Sequence, residues 1–265
     1  MENPLFKISK ATSRIMPHTL PVSESFYSIQ GEGKCTGVPA VFLRLKGCNL
    51  SCGGINTIKT KSLDSGATWR CDTIEVWTKG ETINIVDLLE SWEQNGWLNH
   101  LKNGAHLVIT GGEPLLWQDK LVKFLNDFKQ FQSFLPFIEV ETNGTITPTK
   151  KLDSFISQYN VSPKLKNSGM KKEDRLINEA LTFFTESQKG YYKFVVSNQS
   201  DCDEITNSFI IPFKIPSQKI QLMPGAETKD DCLALSPQVV EWCKEKGLGF
   251  SSRLHLLLWD KKTGC

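Results

Sequence analysis

The chain has 265 residues, 39% hydrophobic and 23% charged, a length and balance that suit one enzyme-sized core and exclude disordered and collagen-like chains. Lysine plus arginine at 31 against aspartate plus glutamate at 29 leaves a net charge of +2, too even for a general binder of nucleic acid or of anionic membranes. Eight unevenly spaced cysteines are too sparse for a disulfide scaffold, and neither residues 1–21 nor any later stretch offers the apolar run of a signal sequence or membrane span, so a cytoplasmic protein with reduced thiols is expected. In chain order, the apolar run at 41–46 predicts a strand feeding a cysteine-bearing loop, and 106–110 predicts a second, closed by Gly111-Gly112 and followed by a helix over 115–131. A strand at 137–141 precedes the Asn143-Gly144 turn. Further strands are expected at 158–162, 191–197 and 219–222, with helices over 173–187 and 236–246. This alternation implies an α/β domain with a parallel sheet, open or curled into a barrel, whose ligands collect in the loops after the strands.

Those loops hold the unusual residues. Cys48 and Cys52 share one loop, and Cys71 follows after 18 intervening residues, 53–70. Three thiolates can hold an iron–sulfur cluster while leaving one iron open to a ligand; the same open-site logic serves catalytic zinc, and unrelated buried thiols are the plain alternative. Thr110-Gly-Gly-Glu-Pro114 is the second constellation. Its glycines let the backbone approach a ligand and its carbonyls can accept from an ammonium group, although an ordinary strand-to-helix turn with proline at the first helical position reads the same way. Beside a three-cysteine loop, the ligand-binding reading gains.

Taken together, the cysteine loop and Gly111-Gly112-Glu113-Pro114 resemble the radical S-adenosylmethionine (SAM) superfamily. Within it, the chain is similar to the 7-carboxy-7-deazaguanine synthase family, which acts in queuosine and 7-deazapurine biosynthesis. The resemblance rests on Phe26-Tyr-Ser-Ile-Gln-Gly-Glu-Gly33, Thr36-Gly-Val-Pro-Ala-Val-Phe-Leu-Arg-Leu45, Gly47-Cys-Asn-Leu-Ser-Cys52, Cys71-Asp-Thr73, Thr110 to Leu115, Glu141-Thr-Asn-Gly-Thr145, Ser162-Pro-Lys164 and Gln221-Leu-Met-Pro224, in family order. One departure stands out. The family has Cys-x3-Cys-x2-Cys, whereas here the last interval is widened by an insertion at about 56–68, expected to be a solvated loop or short helix.

The resemblance implies one radical SAM domain over 1–265, a partial (β/α)6-type barrel with mostly parallel strands. It implies that Cys48, Cys52 and Cys71 ligate a [4Fe-4S] cluster that cleaves SAM to a 5′-deoxyadenosyl radical. The radical removes hydrogen from 6-carboxy-5,6,7,8-tetrahydropterin, which contracts to 7-carboxy-7-deazaguanine with loss of ammonia. Ile29, Gln30 and Gly31 match pterin-binding positions, and Arg44 matches the partner of the substrate carboxylate. Thr110 matches a contact to the ring and is, with Glu141, a catalytic candidate. Thr73 matches a Mg²⁺ ligand. Arg70, Cys71, Asp72, Gly112, Ser162, Pro163, Lys164 and Gln221 match SAM-binding positions. Cys35, Cys202, Cys232, Cys243 and Cys265 match no cluster position and are taken as structural or incidental. Plainer roles would be an internal ion pair of Arg44 with Glu32, a helix N-cap at Thr73 and a surface position for Lys164. The family further implies a homodimer and an electron donor such as flavodoxin or ferredoxin, with no direct nucleic-acid or membrane partner. Rival readings are a radical SAM activator of a glycyl-radical protein and a non-catalytic zinc-bound scaffold.

Overall fold

In the computed structural model, which describes residues 18–262 and 264, nine strands form one sheet. Cys265 and most of the 1–21 segment lie outside the described residues. The strands are β1 (Thr19–Ile29), β2 (Pro39–Leu45), β3 (Glu81–Asn84), β4 (His106–Gly111), β5 (Ile138–Thr142), β6 (Gln158–Val161), β7 (Gly190–Val196), β8 (Ile220–Pro224) and β9 (Gly249–Phe250). Their order is β3-β1-β2-β4-β5-β6-β7-β8-β9. β2 and β4 to β9 pair in parallel, whereas β1 is antiparallel to both β2 and β3. The sheet is therefore mostly parallel and unclosed, with β3 and β9 at its edges.

The expected strands from 41–46 to 219–222 all form, within a few residues of the expected ends. β1 has no counterpart among the expectations. Its Pro21 and serines disguise the alternation, and its register with β2 shifts between Val22 and Glu24. Two helices need correction: the one expected over 236–246 already starts at Lys229, capped by Thr228, and the 173–187 pattern breaks into Lys172–Arg175 and Asn178–Glu186. Leu176 leaves the helical region at φ −111°, ψ 83°, and buried Arg175 is held by the carbonyl oxygens of Lys164 and Met170 and by Glu204 at 2.7 Å. Those tertiary bonds outweigh continuation of the helix.

Alternation along each strand sorts the two faces of the sheet. Val41, Leu43 and Leu45 join Leu107, Ile109, Val140, Tyr159, Val161, Tyr192 and Phe194 in the apolar core. Against this face packs the helix Gln118–Gln132, which buries Leu121, Phe124, Leu125 and Phe128 at helical spacing. The helix Ile85–Gln94 starts where the Asn84 side chain accepts from the Val86 N–H at 2.9 Å. Parallel strands covered on both faces read as continuous apolar runs. Here alternate positions of β5 and β6, with Lys193 on β7, are polar: Glu139, Gln158, Asn160 and Lys193 are buried and Glu141 is half-buried, and hydrogen bonds join them around a common lumen. Burying a charge without partners is costly, so this lumen is where chemistry is to be sought.

Candidate active site

Arg44 and Thr110 are neighbours across β2 and β4, and Leu45 is paired with Gly111. The loops that leave these strands therefore meet on one rim. Cys48 and Cys52 lie in the first loop, and Cys71 is brought back to it by a hydrogen bond from its N–H to the Cys52 carbonyl at 3.1 Å. Burial pushes the Cys48 thiol up to about 11 and that of Cys52 up to about 12; the Glu113 and Cys71 charges add to the rise at Cys48, and those of Cys71 and Cys48 add to it at Cys52. Lys164 opposes the shift at both. A positive metal centre here would lower both further.

The Thr73 side chain makes no helix cap, although the residue precedes the short helix Ile74–Trp77. Its Oγ1 lies instead 3.5 Å from Cys71 Sγ, so the capping role is replaced by a place at the thiols.

The glycines of the second constellation answer to packing. A Cβ on Gly112 would stand 2.5 Å from Cys48 Cβ and 2.5 Å from the Gly47 oxygen, and one on Gly111 would stand 2.6 Å from the Leu45 oxygen. Both allow the two loops to touch, backbone to backbone. Glu113 then locks the rim: its N–H donates to the Gly47 oxygen at 2.9 Å, and its buried carboxylate accepts from Leu115 N, Asn143 N and Thr142 Oγ1. Burial pushes Glu113 up to about 7. Asn143 and Thr145 continue the brace to Asn49 at 2.9 and 2.8 Å.

Of the residues matched to SAM, Ser162, Pro163 and Lys164 follow β6 on this rim; the Lys164 Nζ donates to Ser162 Oγ at 3.3 Å and lies 5.9 Å from the Trp69 ring centroid. Lys164 is half-buried beside the thiols, so it is not a surface lysine. The Arg70 guanidinium turns away, to Thr57 Oγ1 at 3.0 Å and Glu75 at 2.7 Å. Asp72 is exposed and pairs with Arg253 at 2.8 Å. Gln221 stands apart, its side chain against Gly249 and near Gly33.

The residues matched to the pterin lie below, around a loop that crosses the lumen after β1. Gln30 is buried, and its Nε2 donates to Glu141 at 3.1 Å and Glu139 at 3.3 Å. The Gly31 carbonyl accepts from Leu254 N at 2.9 Å, and Ile29 closes β1 opposite Pro39. Arg44 is paired through Nε with Glu24 at 2.7 Å. The plain expectation of a Glu32 pair is thus corrected: Glu24 faces Arg44 across β1 and β2, while Glu32 is taken by Lys193 at 2.6 Å and Arg253 at 3.0 Å. Burial alone would raise the Glu32 carboxyl, but those two cations hold it well below the usual carboxylate range. Glu141 shares Lys193 at 3.2 Å, and burial pushes its carboxyl upward.

Lys193, Arg253 and His255 were not singled out from the sequence. The available signal was a lysine amid the apolar residues of β7 and two basic residues at the edge of an apolar run near the C-terminus.

Among the described residues, the three His, Cys, Asp or Glu ligand atoms that lie within 4.8 Å of one another belong to Cys35, His106 and Glu139. Cys48, Cys52 and Cys71 are more widely spread. A single zinc ion needs its ligands in contact with one centre, whereas a four-iron cluster holds its thiolates on separate irons, so the rim thiols fit the cluster. No described helix is long and apolar enough to cross a membrane.

No family model matches the chain. It is 32% identical over 243 residues to the 7-carboxy-7-deazaguanine synthase of Pyrobaculum aerophilum, covering 92% of this chain and 96% of that one. It is 31% identical to the namesake enzyme of Halobacterium salinarum, covering 91% of each. The crystal structure of QueE from Escherichia coli superposes with a TM-score of 0.58 at 22% identity, covering 96% of this chain and 99% of that one, and so shares the fold. With a relative this similar along nearly its whole length, the chain belongs to the 7-carboxy-7-deazaguanine synthase family, enzymes of the radical SAM class.

Proposed function

We propose that this chain, as one radical SAM domain, converts 6-carboxy-5,6,7,8-tetrahydropterin to 7-carboxy-7-deazaguanine with loss of ammonia. The observation that carries the reading is the meeting of three thiols, Lys164 and Thr73 on one rim above a buried polar lumen. Cys48, Cys52 and Cys71 would hold a [4Fe-4S] cluster, with SAM at the remaining iron and in contact with Gly112 and the 162–164 segment. When bound, cluster and SAM supply the 5′-deoxyadenosyl radical that takes hydrogen from the substrate.

The chain's own groups bind and orient. Arg44, held at Nε by Glu24, keeps its terminal nitrogens for the substrate carboxylate, a fork that suits two oxygens at once. The Ile29 to Gly31 backbone and the Gln30 amide offer donors and acceptors to the pterin edge. Thr110, beside Arg44 in the register, contacts the ring. Glu141, braced by Gln30, Asn160 and Lys193, is placed to hold a proton during the rearrangement. Thr73 Oγ1 would hold a Mg²⁺ ion, which would supply positive charge to the substrate carboxylate. The same reading takes a flavodoxin or ferredoxin as reductant and a cytoplasmic homodimer as the working form.

Anaerobic reconstitution followed by incubation with SAM, dithionite and the carboxytetrahydropterin tests the reading. Deazapurine formation is expected, and Cys48→Ala, Cys52→Ala and Cys71→Ala should each abolish it along with the brown absorbance. A fully loaded cluster that cleaves SAM yet gives no deazapurine overturns the assignment. For magnesium, Thr73→Ala is expected to blunt Mg²⁺ stimulation of turnover while SAM binding is retained; equal loss of both refutes the ligand role.

A further inference from the structure

Cys35, taken from the sequence as structural or incidental, occupies a different kind of site. It sits in the loop between β1 and β2, which passes under the lumen, and there it meets His106, the first residue of β4, and Glu139, the second residue of β5. These lie at the strand beginnings, the opposite end from the loops that carry Cys48 and Cys52. The Cys35 sulfur, one imidazole nitrogen and one carboxylate oxygen all fall within 4.8 Å of one another. His106 Nδ1 is 2.7 Å from Glu139 Oε1, and the Gln158 amide adds a fourth polar group, with Nε2 3.5 Å and Oε1 3.7 Å from Cys35 Sγ.

The geometry points to a mononuclear site for a divalent, borderline-soft cation of the zinc class on the floor of the lumen, held by Cys35, His106 and Glu139, with Gln158 or water in the fourth position. Thiolate, imidazole and carboxylate together match zinc better than magnesium or calcium, which favour all-oxygen sets. The second layer is in place. The other Glu139 oxygen accepts from Asn160 Nδ2 at 2.7 Å and from Gln30 Nε2 at 3.3 Å, fixing the carboxylate, and the His106 ring stacks on Phe137 with centroids 4.3 Å apart. Burial and the Glu139 charge push the Cys35 thiol up to about 11, so a cation bound there would release the thiol proton on binding. Cys35 and His106 are each half-buried, which leaves a route in from solvent. Because Gln30 and Glu139 share a hydrogen bond, an ion here would fix one of the pterin-binding candidates from below. The proposal stands apart from the rim chemistry, since none of its ligands belongs to the thiol set there.

Cobalt is the probe, because tetrahedral thiolate-bound Co²⁺ absorbs visibly. The full-length chain carrying Cys48→Ala, Cys52→Ala and Cys71→Ala, with folding checked by circular dichroism, is titrated anaerobically with Co²⁺. One equivalent with a thiolate charge-transfer band is expected, lost on adding Cys35→Ser and weakened at least about tenfold by His106→Ala. A second arm uses the holoenzyme with its cluster intact, so that misfolding of the triple variant cannot hide the answer. Zn²⁺ should raise its melting temperature, and the Cys35→Ser holoenzyme should show no such rise. Absence of a charge-transfer band in the folded triple variant, a band that survives Cys35→Ser, or a zinc response equal in parent and Cys35→Ser holoenzyme overturns the site.

Discussion

Glu32 shows how a single side chain organises the lumen. Its carboxylate binds Lys193 at 2.6 Å and Arg253 at 3.0 Å, with His255 at 3.8 Å, and the two cations are themselves nearly buried. Replacing Glu32 by glutamine leaves Lys193 and Arg253 with Glu141 and Asp72 as their acidic partners, and loss of one partner of a buried pair costs about 3 kcal/mol. Urea unfolding at pH 7 should show that loss. The acid limb discriminates further. Glu32 titrates lower in the folded chain than its ordinary 4.5, so its stabilisation is complete above pH 4.5 and is lost as the pH falls through the folded value. The difference between parent and Glu32→Gln must therefore shrink in acid; a difference that stays constant down to pH 3 would show that Glu32 acts through shape alone.

At the scale of elements, the meeting of the β2 and β4 loops decides whether the thiols converge. Gly112 has no room for a Cβ beside Cys48 and the Gly47 oxygen, and these are backbone and near-backbone atoms that cannot swing aside. Gly112→Ala should therefore displace the Cys48 loop, at a cost of about 1–3 kcal/mol. Iron content after reconstitution is expected to fall with it. Full iron loading and unchanged melting would mean that the loops yield more readily than their packing implies. The same contact gives the two glycines a packing role beside the ligand approach expected from the sequence, because neither position has room for a Cβ against the neighbouring strand and loop.

For the molecule as a whole, the insertion is the unexpected joint. It forms a short helix, Thr57–Thr60, as the sequence allowed, yet it is more than a solvated excursion. Thr57 is fully buried and receives the Arg70 guanidinium at 3.0 Å. From its last residue, Thr68 N donates to the Asn167 oxygen at 2.9 Å, and at its borders Gly53 N donates to the Ser168 oxygen and Trp69 Nε1 to Asn167 Oδ1, each at 2.9 Å. The insertion thus ties the return to Cys71 to the segment that follows Lys164. Replacing 56–68 by a short glycine-serine linker should keep the sheet, by circular dichroism, while lowering iron content and SAM affinity. Parent-like values of both would make the insertion an ornament, consistent with the small entropic cost of a longer loop.

The strands β2 and β4 to β8, the strand-to-loop positions of Cys48 and Gly112, and the order of the family segments were all legible in the chain itself, because apolar runs and turn chemistry are encoded in neighbouring residues. The partners of Glu32, Arg44 and Cys35 were not. Lys193 lies 161 residues from Glu32, and Arg44 could have faced Glu24 or Glu32 until the register of β1 against β2 selected one of them. Cys35, His106 and Glu139 come from three separate elements whose shared end is set only by parallel pairing. Sequence determined which residue types stand on which face of each strand; the tertiary structure decided which of them meet, because charge pairs and metal-ligand sets depend on distances across strands that no local pattern carries.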